Sequence, residues 1–310
     1  MDKKNILQKS LPFIAYFNIC VLWGTSNLVG KIGLSGLNVT VLACIRFMIT
    51  GIVLLLISII GKMEFPKKLS DWKVLINISL MMIFFTVILV ALGNKYADSG
   101  MVTMILATVP IFTAIIECFI LKNYKISAKG ALGLIGGFIG IIIIVFYGSS
   151  SVKGDFFGIA CSLMGAVSWS VGSIYSKSRV IEGSIIAQTA AEDFFSVILF
   201  FIVGKLTGDF VVTNITFKSL LPVFYLAIFD SLIGFVSYIY LLKKWEPSRV
   251  ATYAYINPVV ALILGALILN ESITAGKILG MIIITISVIL VQQDKSQEIK
   301  ETGSKILSNS

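Results

Sequence analysis

Residues 247–275 read PSRVATYAYINPVVALILGALILNESITA, and this stretch decides the fold because the chain contains a second version of it. Residues 99–128 read SGMVTMILATVPIFTAIIECFILKNYKISA. Both versions open on small residues, carry a proline inside an apolar run (Pro110 and Pro258), and close on Asn-x-x-Ile-Ser/Thr-Ala. The offset between them is close to half the chain, which indicates a duplication rather than a solenoid of short repeats.

The similarity between the two halves extends beyond this stretch. The spacing from tryptophan to lysine in residues 23–31 recurs in residues 169–177. The same register places Arg46 of the first half opposite Glu192 of the second half. Whole halves of the chain therefore correspond to each other.

The composition requires a membrane environment. The chain is 57% hydrophobic and 13% charged, with a mean hydropathy of +0.97. Its apolar runs of about 20 residues are each long enough to cross a hydrocarbon core of roughly 30 Å. We therefore predict an all-α polytopic membrane protein with ten transmembrane helices, arranged as two inverted five-helix repeats. The predicted spans lie near Leu11–Gly33, Asn38–Ile60, Trp72–Gly93, Ser99–Leu121, Ala128–Tyr147, Asp155–Ser176, Ser184–Leu206, Phe217–Leu242, Pro247–Leu269 and Ala275–Gln292.

The basic residues predict the orientation. Of the 25 Lys and Arg residues, 18 fall on one side of the predicted spans and 6 on the other, with Arg46 inside a span. This bias predicts that both termini are cytoplasmic. Residues 1–150 form the first repeat and 151–292 the second, which is inverted because five spans is an odd number. The polar residues 293–310 are expected to be a disordered cytoplasmic tail.

Several classes of function are excluded at this stage. The chain has no histidine, which removes histidine-ligated metals, imidazole relays and serine–histidine catalysis. No phosphate-binding loop is present, so ATP is not the direct source of energy. We therefore expect no enzyme activity, no cofactor and no metal. We also expect no nucleic-acid partner, because the net charge of +9 is spread over short loops.

Ionisable residues at membrane depth are the first functional candidates, because each is costly unless paired or hydrated. Arg46 and Glu192 are interpreted either as a gating or substrate-binding ion pair or as a structural pair. Glu192 and Asp193 form a candidate proton- or sodium-coupling site; alternatively, Asp193 pairs with a lysine or faces a vestibule. Asp230, near the middle of span eight, is a candidate for coupling or gating, or else pairs with Arg46.

Aromatic and amide side chains are the second group of candidates. Trp23 and Asn27 share one face of span one, and Trp169 occupies the equivalent place in span six. An indole wall with amide donors suits a small solute with polar and apolar parts. The alternative is that Trp23 packs at a tight helix crossing allowed by Gly24.

A proline kink supplies the remaining candidates. Pro258 frees a backbone carbonyl group within span nine, which the Asn257 amide is placed to satisfy. Tyr253 and Tyr255 flank the kink and are candidate substrate donors. Bent-helix packing without substrate contact is the alternative.

Span five carries a face of small residues typical of close helix contacts. Packing within the chain and a homodimer interface are both open interpretations of this face. Its glycines are Gly133, Gly136, Gly137 and Gly140.

Short motifs in a fixed order resemble a known family. The residues that carry the resemblance are Trp23-Gly24, Asn27, Lys31, Arg46-Phe47, Pro110, Asn257-Pro258, Glu271 and Gly280. They resemble the drug/metabolite transporter superfamily, specifically its EamA-type members. The resemblance implies a ten-helix inverted-repeat fold that moves small organic solutes, often by export. One departure is that Tyr124 stands where the second half has Glu271.

These observations predict a secondary transporter in the cytoplasmic membrane. The expected partners are the lipid bilayer and a small polar organic metabolite, such as an amino-acid-like solute. Alternating access between the inverted repeats is the expected mechanism. A passive channel or membrane scaffold without coupled transport is the alternative.

Overall fold

The computed structural model describes residues 3–120, 126–147, 152–211, 216–242 and 253–308, and these residues form ten helices. The helices are α1 (Lys3–Leu34), α2 (Val39–Ile60), α3 (Leu69–Tyr96), α4 (Ser99–Ile120), α5 (Ala128–Tyr147), α6 (Val152–Lys177), α7 (Ile185–Thr207), α8 (Phe217–Tyr225, Leu226–Gly234 and Phe235–Leu242 in succession), α9 (Tyr253–Leu269) and α10 (Ala275–Ser308).

Eight of these helices are long and apolar enough to cross a membrane. The other two, α9 and α10, contribute the shorter apolar stretches Ile256–Leu269 and Ala275–Val291. The prediction of an all-helical chain with ten spans is confirmed. The predicted start of the ninth span, residues 247–252, lies outside the described residues, and so does Tyr124.

Helix ends follow local sequence signals. Ser184 caps α7, since its side chain accepts a hydrogen bond from the Ile186 N–H, and α7 ends at Gly208, which has a positive φ of 74°. Thr216 and Ser219 form a capping box at the start of α8. These caps satisfy backbone groups that a helix end otherwise leaves without partners.

Helix α10 extends into residues 293–310, for which the sequence predicts a disordered tail, and that disorder stays a prediction. The structure continues α10 as a helix as far as Ser308, where disorder is expected from the polar composition. Gln, Lys and Glu are frequent in this segment and are good helix formers, so a helix that has already begun can extend through it. Near the start of the segment, Lys129 donates to the Gln293 side chain at 2.6 Å.

Each half contributes helices that pack mainly against helices of the other half. The first helix of the first half, α1, packs against α8 and α9 of the second half. Its counterpart α6 packs in the equivalent way against α3 and α4. Meanwhile α2 pairs with α7 and α5 with α10. This exchange is the pattern expected of two inverted repeats.

The glycine face of α5 is occupied by α10. A Cβ atom built on Gly133 would lie 2.8 Å from the backbone oxygen of Ser287, and one on Gly140 would lie 3.2 Å from that of Gly280. Of the two interpretations of this face, the structure shows packing within the chain. Only glycine lets the two backbones approach this closely.

Three helices depart from regular α geometry in their interiors. π-Helical segments occupy Ser79–Phe85 in α3, Ile116–Ile120 in α4 and Leu226–Gly234 in α8. The α4 helix is also interrupted at residues 107–108 and resumes with Pro110 in its first turn. By contrast, α9 runs through Pro258 without interruption. π-Helical segments such as those in α3, α4 and α8 are frequent at functional sites.

Candidate functional site

A cavity of about 410 Å³ lies between the two halves. We define the upper end of the bundle as the end at which α1 stops and α2 starts. The cavity lining includes Leu34 and Leu42 near the upper end and Thr189 in the second turn of α7. The cavity therefore extends through the middle of the bundle, and α1–α4 and α6–α9 all contribute to its wall.

Arg46 is the one basic residue among the described residues that line this cavity. It forms an ion pair with Asp230, and its Nε donates to the Ser231 hydroxyl at 3.0 Å. Its guanidinium also lies 5.0 Å from the centroid of the Phe47 ring. Both Asp230 and Ser231 belong to the π-helical segment of α8.

The predicted ion pair between Arg46 and Glu192 is wrong, because the partner of Arg46 is Asp230. The repeat register identifies positions that are equivalent by symmetry, and equivalent positions need not touch. The alternative interpretation of Asp230, as the partner of Arg46 across the bundle, is the one found.

Glu192 and Asp193 occupy the α7 side of the cavity. Asp193 is 3% exposed, and its Oδ2 has no hydrogen-bond donor within the described part of the chain. The close approach of α2 explains this burial, since a Cβ atom on Gly51 would lie 3.3 Å from the Asp193 Cβ. The backbone oxygen of Glu192 accepts from Ser79 at 2.8 Å, which fixes the backbone of α7 at this point.

Trp23 forms an aromatic wall. Its Nε1 donates to the backbone oxygen of Asp230 at 3.2 Å. Its ring meets Tyr253 edge-on with centroids 4.9 Å apart and lies 5.4 Å from the Tyr238 centroid. Because Gly234 has no side chain, the indole nitrogen fits where a Cβ atom would come within 2.5 Å of it.

Asn257 connects α9 to α1. With its amide turned so that the nitrogen rather than the oxygen faces the backbone, Asn257 donates to the Tyr253 and Cys20 carbonyl oxygens at 3.1 and 3.0 Å. Gly24 allows the contact, since a Cβ atom there would lie 3.3 Å from the Asn257 carbonyl oxygen. The tight helix crossing proposed from the sequence is therefore present beside Trp23, which also lines the cavity.

A chain of amides crosses the first half. Asn94 donates to the Asn27 side chain at 3.0 Å, and Asn27 donates to the Thr103 hydroxyl at 2.9 Å. All three residues line the cavity. The sequence analysis missed Asn94, although an amide inside an apolar run just before Lys95 is a signal of the same kind as Asn27.

Nine of the ten predicted site residues line this one cavity. They are Trp23, Asn27, Arg46, Trp169, Glu192, Asp193, Asp230, Tyr253 and Asn257. The side chain of Tyr255, the tenth, lies outside the described residues. The structure thus brings the predicted residues together, and their roles in transport remain predictions.

A second polar cluster joins helix ends at the upper end. The Glu271 side chain is 8% exposed and accepts from the Lys31 ammonium at 3.1 Å. It also accepts from the backbone N–H groups of Ser99 and Gly100 at 2.9 and 3.3 Å, at the start of α4. A carboxylate at a helix N-terminus is stabilised by the helix dipole.

Asp98 extends this cluster to α10. Lys277, only 1% exposed, forms an ion pair with Asp98 and donates to the Ser272 carbonyl oxygen at 2.6 Å. Lys31 lies 3.8 Å from the same Asp98 carboxylate. The cluster therefore links α1 and α4 of the first half to α10 of the second.

The opposite, lower end carries an exposed ion pair for comparison. The Lys68 Nζ and the Glu182 Oε1 are 2.5 Å apart. Both residues lie in loops, and both side chains are more than half exposed. Their hydrogen bond raises the pKa of Lys68 and lowers the pKa of Glu182. Such exposed pairs contribute little to stability.

Ten helices in two inverted halves, eight of which enclose a cavity with polar and charged side chains in its wall, define a membrane transporter architecture. The model of the EamA-like transporter family matches residues 12–146 and 156–292, so the chain belongs to this family. The family is one of transporters and not of enzymes.

Among the described side chains, no three His, Cys, Asp or Glu residues come together as a metal site.

Curated relatives cover nearly the whole chain. The uncharacterized inner membrane transporter YedA of Escherichia coli (strain K12) is 29% identical over 293 residues, covering 91% of each chain. The uncharacterized transporter YoaV of Bacillus subtilis (strain 168) is 24% identical over 274 residues, covering 87% of this chain and 93% of the relative. A solved crystal structure with 16% identity matches at a TM-score of 0.63 over 93% of this chain and 99% of its own, which supports the fold alone.

Proposed function

We propose that the protein is a secondary transporter of small polar organic metabolites that works by alternating access between its two halves. The observation that carries the proposal is the cavity of about 410 Å³ between the repeats. Its volume falls within the range of small-molecule sites, about 300–1,000 Å³. Its wall combines indole and phenol rings with amides and charged groups, which suits a solute that has polar and apolar parts.

The irregular helices support alternating access. The π-helical segment of α8 carries Asp230, and the interruption of α4 at residues 107–108 also faces the cavity. Helices bend more readily where the regular backbone ladder is broken. Bending of α4 and α8 at cavity depth would open one side of the site and close the other.

The location and orientation belong to the same proposal. We place the protein in the cytoplasmic membrane, because the Escherichia coli relative is named an inner membrane transporter. The bias of Lys and Arg supports two cytoplasmic termini. The upper end would then face away from the cytoplasm.

Uptake into proteoliposomes tests the proposal. Purified protein is reconstituted and given pooled labelled metabolites, with and without a pH gradient. Saturable uptake that an excess of unlabelled solute competes away supports a carrier. Linear flux without competition would instead indicate the alternative, a passive channel, and no flux above empty liposomes would indicate a scaffold.

A paired substitution links the uptake to the cavity. Arg46→Lys keeps the charge but removes the Nε donor to Ser231, so saturable uptake should fall by about tenfold or more, since Arg and Lys differ at fork-like sites. Arg179→Lys is the matched control, because Arg179 is exposed and lies over Tyr175 outside the cavity. Equal uptake by the two variants would contradict a role for Arg46.

A further inference from the structure

We infer that the cavity selects solutes that carry a primary ammonium group and no carboxylate, such as alkyl amines and diamines. This inference rests on the proposed transport function and names the class of its substrate. It follows from the balance of charge in the cavity, from two buried acceptors without donors, and from the aromatic wall.

The charge of the lining is unbalanced. Three carboxylates (Glu192, Asp193 and Asp230) and one guanidinium (Arg46) line the cavity in the described residues. Arg46 is already engaged by Asp230 and Ser231. Neither Glu192 nor Asp193 has an ion-pair partner in the part of the chain that the structure describes. A cationic ligand would supply the partner that a buried carboxylate needs in order to stay ionised.

Two buried oxygens lack donors within the described part of the chain, and both belong to side chains of residues that line this cavity. They are Asp193 Oδ2 and Asn94 Oδ1, and each residue is 3% exposed. Buried polar atoms nearly always have a partner, so each exception calls for an explanation. Both atoms are acceptors, and the Asn94 amide is independent of the acidic pair. The missing groups are therefore donors, and an ammonium group offers three of them.

The remaining wall also suits a cation. Trp23, Trp169 and Tyr253 all contribute to the lining. Trp169 is 36% exposed, so part of its side chain is not covered by the protein. Aromatic faces attract ammonium groups, and tryptophan does so most strongly. The hydrocarbon part of an alkyl amine would lie against the same rings.

A carboxylate on the solute would have to compete with the carboxylates of the protein for one guanidinium. Arg46 is the cavity's only basic group among the described residues, and its Nη2 and Nε are bound within the protein. A solute carboxylate that used the remaining N–H groups of Arg46 would share this guanidinium with Asp230, in a cavity that two further acidic side chains line. The expected order of binding is therefore amine and diamine, then zwitterion, with the simple acid last.

A series of four-carbon probes tests this order. n-Butylamine, 1,4-diaminobutane, 4-aminobutanoate and butanoate are titrated into purified protein in detergent at constant sodium and ionic strength, with calorimetry for Kd and a thermal midpoint as a second readout. The two amines should raise the midpoint, and butanoate should leave it unchanged. Butanoate binding as tightly as n-butylamine, or no binding by either amine, would overturn the inference.

Three variants identify the groups that bind the ammonium. Asp193→Asn and Glu192→Gln keep the side-chain shapes, and each should weaken the Kd for n-butylamine by about tenfold or more, because each removes a charge-assisted contact. Glu182→Gln removes the same charge from an exposed loop pair and should bind as the unmodified protein does. Unchanged amine binding in both cavity variants would refute the assignment.

The outcomes separate this inference from the proposed function. If a pooled metabolite is transported saturably but no amine binds, transport stands and the amine selectivity fails. If amines bind but no solute is transported saturably, the site stands as a binding site and the transporter proposal fails.

Discussion

Glu271→Gln should destabilise the protein although it changes only one atom. The Glu271 carboxylate accepts from the Ser99 and Gly100 N–H groups, from the Ser99 hydroxyl at 3.0 Å and from the Lys31 ammonium. Every one of these partners is a donor. Glutamine keeps one oxygen acceptor and turns an NH₂ group toward donors, so at least one partner loses its acceptor.

The size of the effect follows from these contacts. A hydrogen bond to a charged group contributes about 1.5–3 kcal/mol, and a carboxylate at a helix N-terminus adds about 0.3–1 kcal/mol. With the ion pair to Lys31 also weakened, we expect a loss of about 3 kcal/mol in the free energy of unfolding. The contribution of the ion pair to Lys31 can be measured in a double-mutant cycle of Glu271→Gln and Lys31→Met. The coupling energy should be about 1 kcal/mol, because the Lys31 side chain is 29% exposed.

Reversible unfolding in mixed micelles, followed by circular dichroism, measures this loss. Glu182→Gln is the control, since it makes the same change in an ion pair that is more than half exposed, and it should shift the unfolding curve very little. Equal shifts for the two variants would refute the reasoning, because burial and helix capping would then have no effect. A coupling energy of zero between Glu271→Gln and Lys31→Met would show that the ion pair does not contribute to stability.

Two further predictions concern contacts made by single residues. Gly234→Ala places a Cβ atom 2.5 Å from the Trp23 indole nitrogen, so the ring must leave the Asp230 carbonyl oxygen. Saturable uptake should fall by about tenfold at a stability cost of about 1–3 kcal/mol, and normal uptake would show that the Trp23 position is unimportant. Asp209→Ala removes an acceptor for the Thr40 N–H at 3.1 Å in the first turn of α2. It should lower the free energy of unfolding by about 1 kcal/mol in the same micelle assay while leaving uptake unchanged, and a loss of uptake would contradict this.

The sequence was sufficient for the architecture because membrane spans are dictated by continuous apolar length. The duplicated Pro110 and Pro258 segments, joined to an odd number of spans, implied the inverted repeat. The same reasoning found most of the cavity, because charged and amide side chains within apolar runs are rare and point inward.

Partner choice could not be predicted in the same way. The repeat register related Arg46 to Glu192, but contact depends on the rotation and offset of α2 against α7 and α8. The π-helical segment that carries Asp230 changes the direction in which the side chains of α8 point. The composition of residues 226–234 does not predict this segment. The pairing of Asn94 with Asn27 also depends on how α3 packs against α1, which the sequence does not show.

The contacts of α1 have a consequence for synthesis in the membrane. This helix leaves the ribosome before the other nine helices, but it packs against α8 and α9, which follow much later. Until those helices are inserted, Trp23 has neither the Asp230 carbonyl group nor the Tyr253 ring beside it. The first five helices alone lack α8 and α9, the main partners of α1, and α6 in turn needs α3 and α4. Neither half can complete its own core, so assembly has to wait for nearly the whole chain.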